Sequence, residues 1–384
     1  MSSPEEILED AFRRVIEIEN NGYSVPFIED AEISQQVELI SRNPQNRAAV
    51  RLVLACALAK AENSSRDARM PYTEINDKAA FSGRSIDEKY IGPFTYKHQL
   101  PVNATTAFLT PALRNHSSVL TRDLNLVGKP RKVYKAALQL LTHLEENSFS
   151  AKNLLSEIFR YLIIFRDEKK DRLESLLRNA RETRIGAIPL SSEEIINLLQ
   201  QHLQSPSASR IPVLIVAAAY ESAGILIGEK ALPLESHNAA DKQTGSVGDV
   251  EVVLINDISV VSGYEMKDKK ITIADIDIAV GKIVSKKEIQ NYIFITTEPI
   301  GENIREYASS WYEKIGGKEI VVLECISFVR HFLHFFSRHR ERFLERYEEL
   351  LLSEADSSVP QILKETWLTL RQAAEFRPEH RTDA

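Results

Sequence analysis

Two acids and a lysine in the second half of the chain have the types and spacing to do chemistry. The run Gly248-Asp249-Val250-Glu251-Val252-Val253-Leu254-Ile255 is followed, after eight residues, by Tyr264-Glu265-Met266-Lys267. Asp249 opens an apolar, β-rich run. Glu265 and Lys267 stand two apart near the end of the next run, so a strand carries both on one face. A hairpin joining the runs brings Asp249 beside that pair. Two carboxylates at one point make an oxygen site for a hard divalent ion, Mg²⁺ or its usual substitute Mn²⁺, which keeps several waters and accepts a phosphate oxygen. Such an ion polarises a phosphoryl group, activates water and steadies the leaving oxygen. Lys267 would hold the attacking water or neutralise charge developing on the phosphate. Strand parity puts Glu251 on the face of Asp249, as a third metal-site acid or as a merely exposed one. Glu221 lies in the apolar run from Pro212 to Gly228. It either lends the metal site another carboxylate or marks the solvent face of a helix.

A short acid-acid-lysine pattern needs a positioning scaffold, because charge clusters imitate it by accident. Asp87-Glu88-Lys89 and Glu168-Lys169-Lys170 do so here without a strand on either side, and read as solvated charges. Around Asp249 the scaffold is legible. A helix is expected over 211–228, strands at 250–255 and 259–266, a helix over 275–289 and a strand at 292–296. A helix over 303–314, a strand at 319–323 and closing helices over 326–352 and 360–375 follow. The implied architecture is α/β in the α+β sense, a central mixed sheet flanked by helices. The first two hundred residues instead show three- and four-residue apolar periodicity, with helices from Pro4, over 46–62, 131–144 and 151–177, and after the capping sequence Ser191-Ser192-Glu193-Glu194. Residues 64–128 lose that periodicity and read as loop-dominated. The polar Gln204–Ser209 segment divides a mainly helical region, 1–204, from a sheet-containing region, 205–384.

Within the loop-dominated stretch stands a block without helical periodicity, from Phe81-Ser-Gly-Arg84-Ser-Ile-Asp87 through Tyr90-Ile-Gly-Pro-Phe94 to Leu100-Pro101-Val-Asn103 and Thr110-Pro111-Ala-Leu-Arg114-Asn115. Together with the later acid-acid-lysine set, it resembles type II restriction endonucleases of the SacI family, over roughly residues 80–120 and 215–300. The resemblance implies a PD-(D/E)xK nuclease core, Mg²⁺ dependence, and cleavage of double-stranded DNA at a short symmetric site. Such cleavage would leave 5′-phosphate ends and suit a homodimer. Gly248 stands where the motif's name has Pro. In this light Asp249 and Glu265, with Glu251, are expected to hold the metal, Lys267 to orient the nucleophile and Glu221 to assist. Arg84 and Arg114 can pair bidentately with guanine, and Asn103 and Asn115 with adenine. Pro101 and Pro111 would stiffen the loop presenting them. These residues equally suit turns and a domain interface. Lys129, Arg131, Lys132 and Lys135 suit phosphate contacts, which position a duplex without reading it.

Composition narrows the alternatives. The chain has 384 residues, net charge −7, 43% apolar and 27% charged residues, and two cysteines without a CxxC, which excludes a disulfide framework and a cysteine zinc site. Its charge is uneven: fifteen bases and nine acids fall in residues 111–190, against two bases and ten acids in 1–40. The acidic opening segment does not read as a secretory signal, and the longest apolar run, 211–220, is about half the ~20 residues of a membrane helix, so a cytoplasmic, membrane-free protein is expected. No glycine-rich nucleotide loop is present, and no nucleotide cofactor is expected. His331 and His334 on an aromatic stretch read as packed residues rather than zinc ligands. A catalytically silent DNA-binding protein on a nuclease fold and a structure-specific nuclease remain as alternatives.

Overall fold

Local capping signals start the helices that frame the molecule. The Ser3 hydroxyl accepts from the Glu6 amide while the Glu6 carboxylate accepts from the Ser3 amide, and helix α1 (Pro4–Asn20) follows. The computed structural model describes residues 3–20, 25–184, 188–234, 247–257, 259–356 and 358–376. They fall into two compact units, Met1–Arg172 and Leu173–Ala384. The division between these units lies within one long helix, α7 (Ala151–Arg184).

In the first unit, α2 (Ala31–Ser41) was not expected, although Asp30 caps it and Ile33, Val37 and Ile40 are buried at helical spacing. Helix α3 (Ala48–Glu62) is capped by the Asn46 side chain and is buried on all sides from Ala48 to Ala59. Helix α6 (Arg131–Glu145) agrees with its sequence pattern. The loop-dominated stretch proves partly helical: α4 (Gly83–Ile86), a π turn (Asp87–Ile91) and α5 (Gly92–Lys97) run on from one another. Asp87 is therefore no solvated charge. It is fully buried, accepts from Arg51 Nε at 2.5 Å, and also accepts from the Thr106 hydroxyl and the Ala107 amide. Arg51 Nη1 donates to the carbonyls of Asn103 and Ala104 at 2.6 and 2.9 Å. One buried arginine thus ties α3 to both halves of the 81–115 block.

The second unit holds a five-stranded sheet in the order β1 (Glu229–Ala231), β2 (Val250–Leu254), β3 (Val260–Lys267), β4 (Asn291–Thr296) and β5 (Glu319–Glu324). The first three pair antiparallel, and β3, β4 and β5 pair parallel. Parallel pairs need crossovers, supplied by α10 (Ile273–Ile283) and α11 (Glu302–Ser309). Strand alternation divides the core. Val250, Val252, Tyr264, Ile293 and Ile295 pack on one face with α8 (Ser192–Leu203) and α9 (Ile211–Ile227). Tyr292, Phe294, Ile320 and Val322 pack on the other with α10 and α11.

Helix α9 ends at Gly228, whose φ of +75° a side chain rarely adopts. Its length and apolarity would suit a membrane span, but 72% of the apolar 18-residue window within Ala208–Ile227 is buried. The expected single helix over 326–352 is broken into α12 (Cys325–Phe335) and α13 (Arg340–Ser353) by a short 3₁₀ turn, and α14 (Gln361–Glu375) closes the fold. His331 and His334 are exposed, not packed, and His331 bonds back to the Ser327 carbonyl.

Arg51→Met would leave Asp87 buried without its cation. The expected loss is about 3–5 kcal/mol in urea unfolding of the full chain. A loss below about 1 kcal/mol, the range of surface pairs, would contradict the structural role given to the pair.

Candidate active site

The register of β2 against β3 sets the geometry. Val250 faces Tyr264 and Glu251 faces Gly263, so continuing the ladder one step places Asp249 opposite Glu265. Asp249 Oδ2 accepts from the Met266 amide at 2.7 Å, which fixes it between Glu265 and Lys267 along the neighbouring strand. Lys267 Nζ donates to Glu265 Oε1 at 2.9 Å. The three residues paired by sequence reasoning therefore meet at one point of the sheet.

Gly248 makes this approach possible. A Cβ at that position would lie 2.4 Å from the Tyr264 carbonyl oxygen and 2.9 Å from its carbon, closer than real side chains come. A glycine in place of the motif's Pro is thus a steric requirement of this hairpin.

Three further residues complete the cluster. Glu265 Oε2 accepts from the Tyr292 hydroxyl at 2.8 Å and from Lys282 Nζ at 3.0 Å. Asp275 Oδ1 lies 3.7 Å from Lys267 Nζ. Tyr292 comes from β4, whereas Asp275 and Lys282 come from α10, seven residues or about two turns apart on one helix face. Sequence reasoning missed all three. The seven-residue spacing of Asp275 and Lys282 was the available signal, but only the parallel crossover places that helix over the end of β3.

Charge balance follows from these contacts. Burial works to raise the pKa of Glu265, but donation by Lys267, Tyr292 and Lys282 outweighs it and the pKa is lowered. Burial likewise opposes the Lys267 ammonium, yet the bond to Glu265 and the charges of Glu265 and Asp275 raise its pKa on balance. Asp275 is lowered as well: burial is overcome by the side-chain and backbone bonds of Thr272, with help from Lys267 and Lys269.

The other expected site residues fall elsewhere. Glu251 shares the face of Asp249, but its carboxylate turns to the Val247 amide at 2.6 Å. Glu221 is exposed on α9, the layer behind the opposite sheet face, where its charged neighbours are Arg346 and Glu349 of α13. Partial desolvation raises its pKa. Strand alternation separates it from Glu265, since α9 meets β3 through Tyr220 and Tyr264, whose hydroxyls are 2.9 Å apart.

In the first unit, Arg84 is exposed and paired with Glu88 at 2.8 Å. Arg114 and Asn115 are exposed, and Asn115 has a φ of +66°. Asn103 bonds to Thr105 through its side-chain amide. Asn103 and Lys129 line one hollow of about 430 Å³ with Asn46, Arg47 and Tyr134. Arg131, Lys132 and Lys135 are exposed at the start of α6.

A mixed sheet flanked by helices, with two carboxylates and a lysine at the end of its central strand, agrees with a restriction-endonuclease-like domain. Residues 187–301 match the family model of the SacI restriction endonuclease C-terminal domain. That class implies an endodeoxyribonuclease acting on DNA. The match takes in the whole cluster from Asp249 to Tyr292, while the 81–115 block lies outside it. No curated protein matches the chain.

The donor chemistry suits a hard divalent ion. Mg²⁺ is commonly held by one or two carboxylates plus substrate phosphate and water, and Asp249 and Glu265 supply such a pair. Among the described residues no group of three or more His, Cys, Asp or Glu side chains forms a protein-only cage.

Two outcomes test this geometry. Gly248→Ala should cost about 1–3 kcal/mol by overpacking the hairpin and should cut activity on DNA at least tenfold; a variant as stable and active as wild type would refute the steric argument. Glu265 has a lowered folded-state pKa, so its contribution to stability is present above the ordinary glutamate range and is lost as pH falls through the folded value. In urea unfolding, the stability gap between wild type and Glu265→Gln should therefore narrow between about pH 7 and about pH 3.

Proposed function

We propose that the protein is a Mg²⁺-dependent, sequence-specific endonuclease that cuts double-stranded DNA at a short symmetric site. The observation that carries this reading is the meeting of Asp249, Glu265 and Lys267 across the β2–β3 pair. Asp249 and Glu265 would hold the ion. Bound there, Mg²⁺ or Mn²⁺ would supply Lewis-acid polarisation of the scissile phosphate and acidification of water. Lys267, kept protonated by Glu265 and Asp275, donates to the attacking water or to a non-bridging phosphate oxygen and offsets charge in the transition state. In-line attack on phosphorus with departure of the 3′-oxygen leaves 5′-phosphate ends. A symmetric site calls for two copies of the chain about a twofold axis, one centre for each strand.

Recognition falls to the first unit. The exposed Arg84 and Arg114 offer guanidinium forks to guanine, and Asn103 and Asn115 offer amides to adenine. Arg84 gives up only a surface pair with Glu88, a loss of about 0.2–1 kcal/mol. Lys129, Arg131, Lys132 and Lys135 contact phosphates.

Incubation with plasmid DNA and Mg²⁺ should give discrete fragments whose sequenced ends reveal site and stagger. Glu265→Ala and Lys267→Ala should each abolish the cuts while binding in Ca²⁺ persists; undiminished cutting by both would end the assignment. Lys132→Ala should weaken binding evenly across sequences and reduce the slope of log K against log salt by about 1.

A further inference from the structure

We infer that the hollow in the first unit takes one unstacked nucleotide of the bound DNA, its phosphate on Arg47 and Lys129 and its base beside Tyr134. This deepens the nuclease reading above and rests on it. At about 430 Å³ the hollow lies within the range of small-molecule sites, about 300–1,000 Å³, and a lone phosphate would leave most of it empty. Its walls come from three places. Arg47 stands at the start of α3, Asn103 and Pro111 belong to the 81–115 block, and Val127, Lys129 and Tyr134 belong to the segment that leads into α6.

The three walls are tied to one another. Asn46, which caps α3 with its side-chain oxygen, donates from Nδ2 to the Lys129 carbonyl at 3.4 Å. The Asn103 amide donates to the Arg47 carbonyl at 3.4 Å, while Arg51 holds the carbonyls of Asn103 and Ala104. Gly128 lies so close to the Tyr134 ring that a Cβ there would come within 2.2 Å of it. The hollow is therefore preformed, which spares a ligand the cost of ordering it.

These ties leave polar groups unused. Among the described residues the partly buried Arg47 guanidinium has no carboxylate or hydrogen-bond partner, and no acid lines the hollow. Donors partly withdrawn from water favour an anion. Tyr134 is only 6% exposed, and its hydroxyl likewise makes no hydrogen bond among the described residues, although a buried phenol usually finds a partner. Asn103 spends Nδ2 on Thr105, which leaves Oδ1 to accept from an exocyclic base amine. Pro111 and Val127 add apolar surface. Cations for a phosphate, an aromatic ring and an amide acceptor together complement a nucleotide. Stacked bases of an intact duplex cannot enter such a hollow, so the nucleotide is either extruded or free. The exposed Arg131, Lys132 and Lys135 at the start of α6 favour DNA as its source, because they extend the positive surface for neighbouring phosphates.

The test compares three short duplexes of one mixed sequence by fluorescence anisotropy with the full chain, without divalent metal so that no cutting intervenes. One duplex is fully paired, one has a single unpaired adenine and one has a single unpaired abasic residue. The unpaired adenine can enter without unstacking, whereas the abasic residue loosens the duplex but offers no base. Wild type should bind the adenine bulge about tenfold tighter than the abasic bulge. Arg47→Gln should bring the adenine bulge to within about twofold of the paired duplex. Val127→Glu, at a position 79% exposed where folding does not depend on the side chain, puts a carboxylate into the hollow and should erase the adenine preference. Lys135→Gln changes the charge by the same amount outside the hollow and should weaken all three duplexes alike. Equal binding of the two bulges by wild type, or a preference that survives both Arg47→Gln and Val127→Glu, would overturn the inference. The four free deoxynucleoside monophosphates, with inorganic phosphate for comparison, should bind far more weakly than the adenine bulge. Arg47-dependent binding of a free mononucleotide by a chain indifferent to the bulge would give the hollow to a free nucleotide and overturn the DNA source. If plasmid is cut with dependence on Glu265 while the two bulges bind alike, this inference alone fails. If no duplex is bound and no plasmid is cut, the nuclease reading fails and the inference falls with it.

Discussion

The carboxylate of Glu265 is held from both sides of its own strand, and the rest of the site depends on that. β3 is the strand at which the sheet changes from antiparallel to parallel pairing. Its antiparallel neighbour, reached through a short connection, delivers Asp249. Its parallel neighbour, reached only by a helical crossover, delivers Tyr292 and carries α10 over the strand end with Asp275 and Lys282. A sheet with one kind of pairing would supply one of these sets but not both. The candidate cluster sits at this change of pairing because local and long-range partners can meet there.

Holding the carboxylate in place has a desolvation cost. Partly buried ion pairs gain little net stability, since the loss of hydration offsets much of the attraction. The arrangement nevertheless keeps Glu265 ionised and both oxygens aimed, since three donors outweigh its burial. Such a network orders the site more than it strengthens the fold. Stability of the second unit rests on the two apolar layers that enclose the sheet, where Trp367, Tyr347, Phe343 and Phe294 are almost wholly buried.

The first unit uses buried charge differently. Arg51 and Asp87 are enclosed, and their partners are backbone groups and a hydroxyl of the 81–115 block. The pair therefore adds fixed polar ties to a segment whose Ile91, Phe94, Phe108 and Leu113 are also buried in the core, and Arg84, Arg114 and Asn115 are exposed on it. A π turn at Asp87–Ile91 allows the buried acid to sit within a helical run.

Much of this was legible in the residue string. Alternation and apolar runs located β2 to β5, helical spacing located α3, α6 and α9, and the two-residue interval placed Glu265 and Lys267 on one face, because these are properties of neighbours along the chain. The strand β1, only three residues long, and the eleven-residue helix α2 escaped, although α2 has an Asp30 cap and apolar residues at helical spacing. The burial of Asp87 and the break after Phe335 also escaped, since each depends on which surfaces are covered. Glu221 shows the limit most directly: its sequence neighbourhood says only that a carboxylate stands on an apolar helix, and the sheet face against which that helix packs removes it from the site. Lys282 and Tyr292 show the converse. Beyond the seven-residue spacing of Asp275 and Lys282 nothing local marks them, because their place is conferred by a parallel crossover that brings residues far along the chain within hydrogen-bonding distance of one carboxylate. Sequence alone determined which groups could do the chemistry and which elements would carry them; tertiary structure decided which of those groups meet, since contact is a matter of pairing register and layer, and neither is encoded in spacing along the chain.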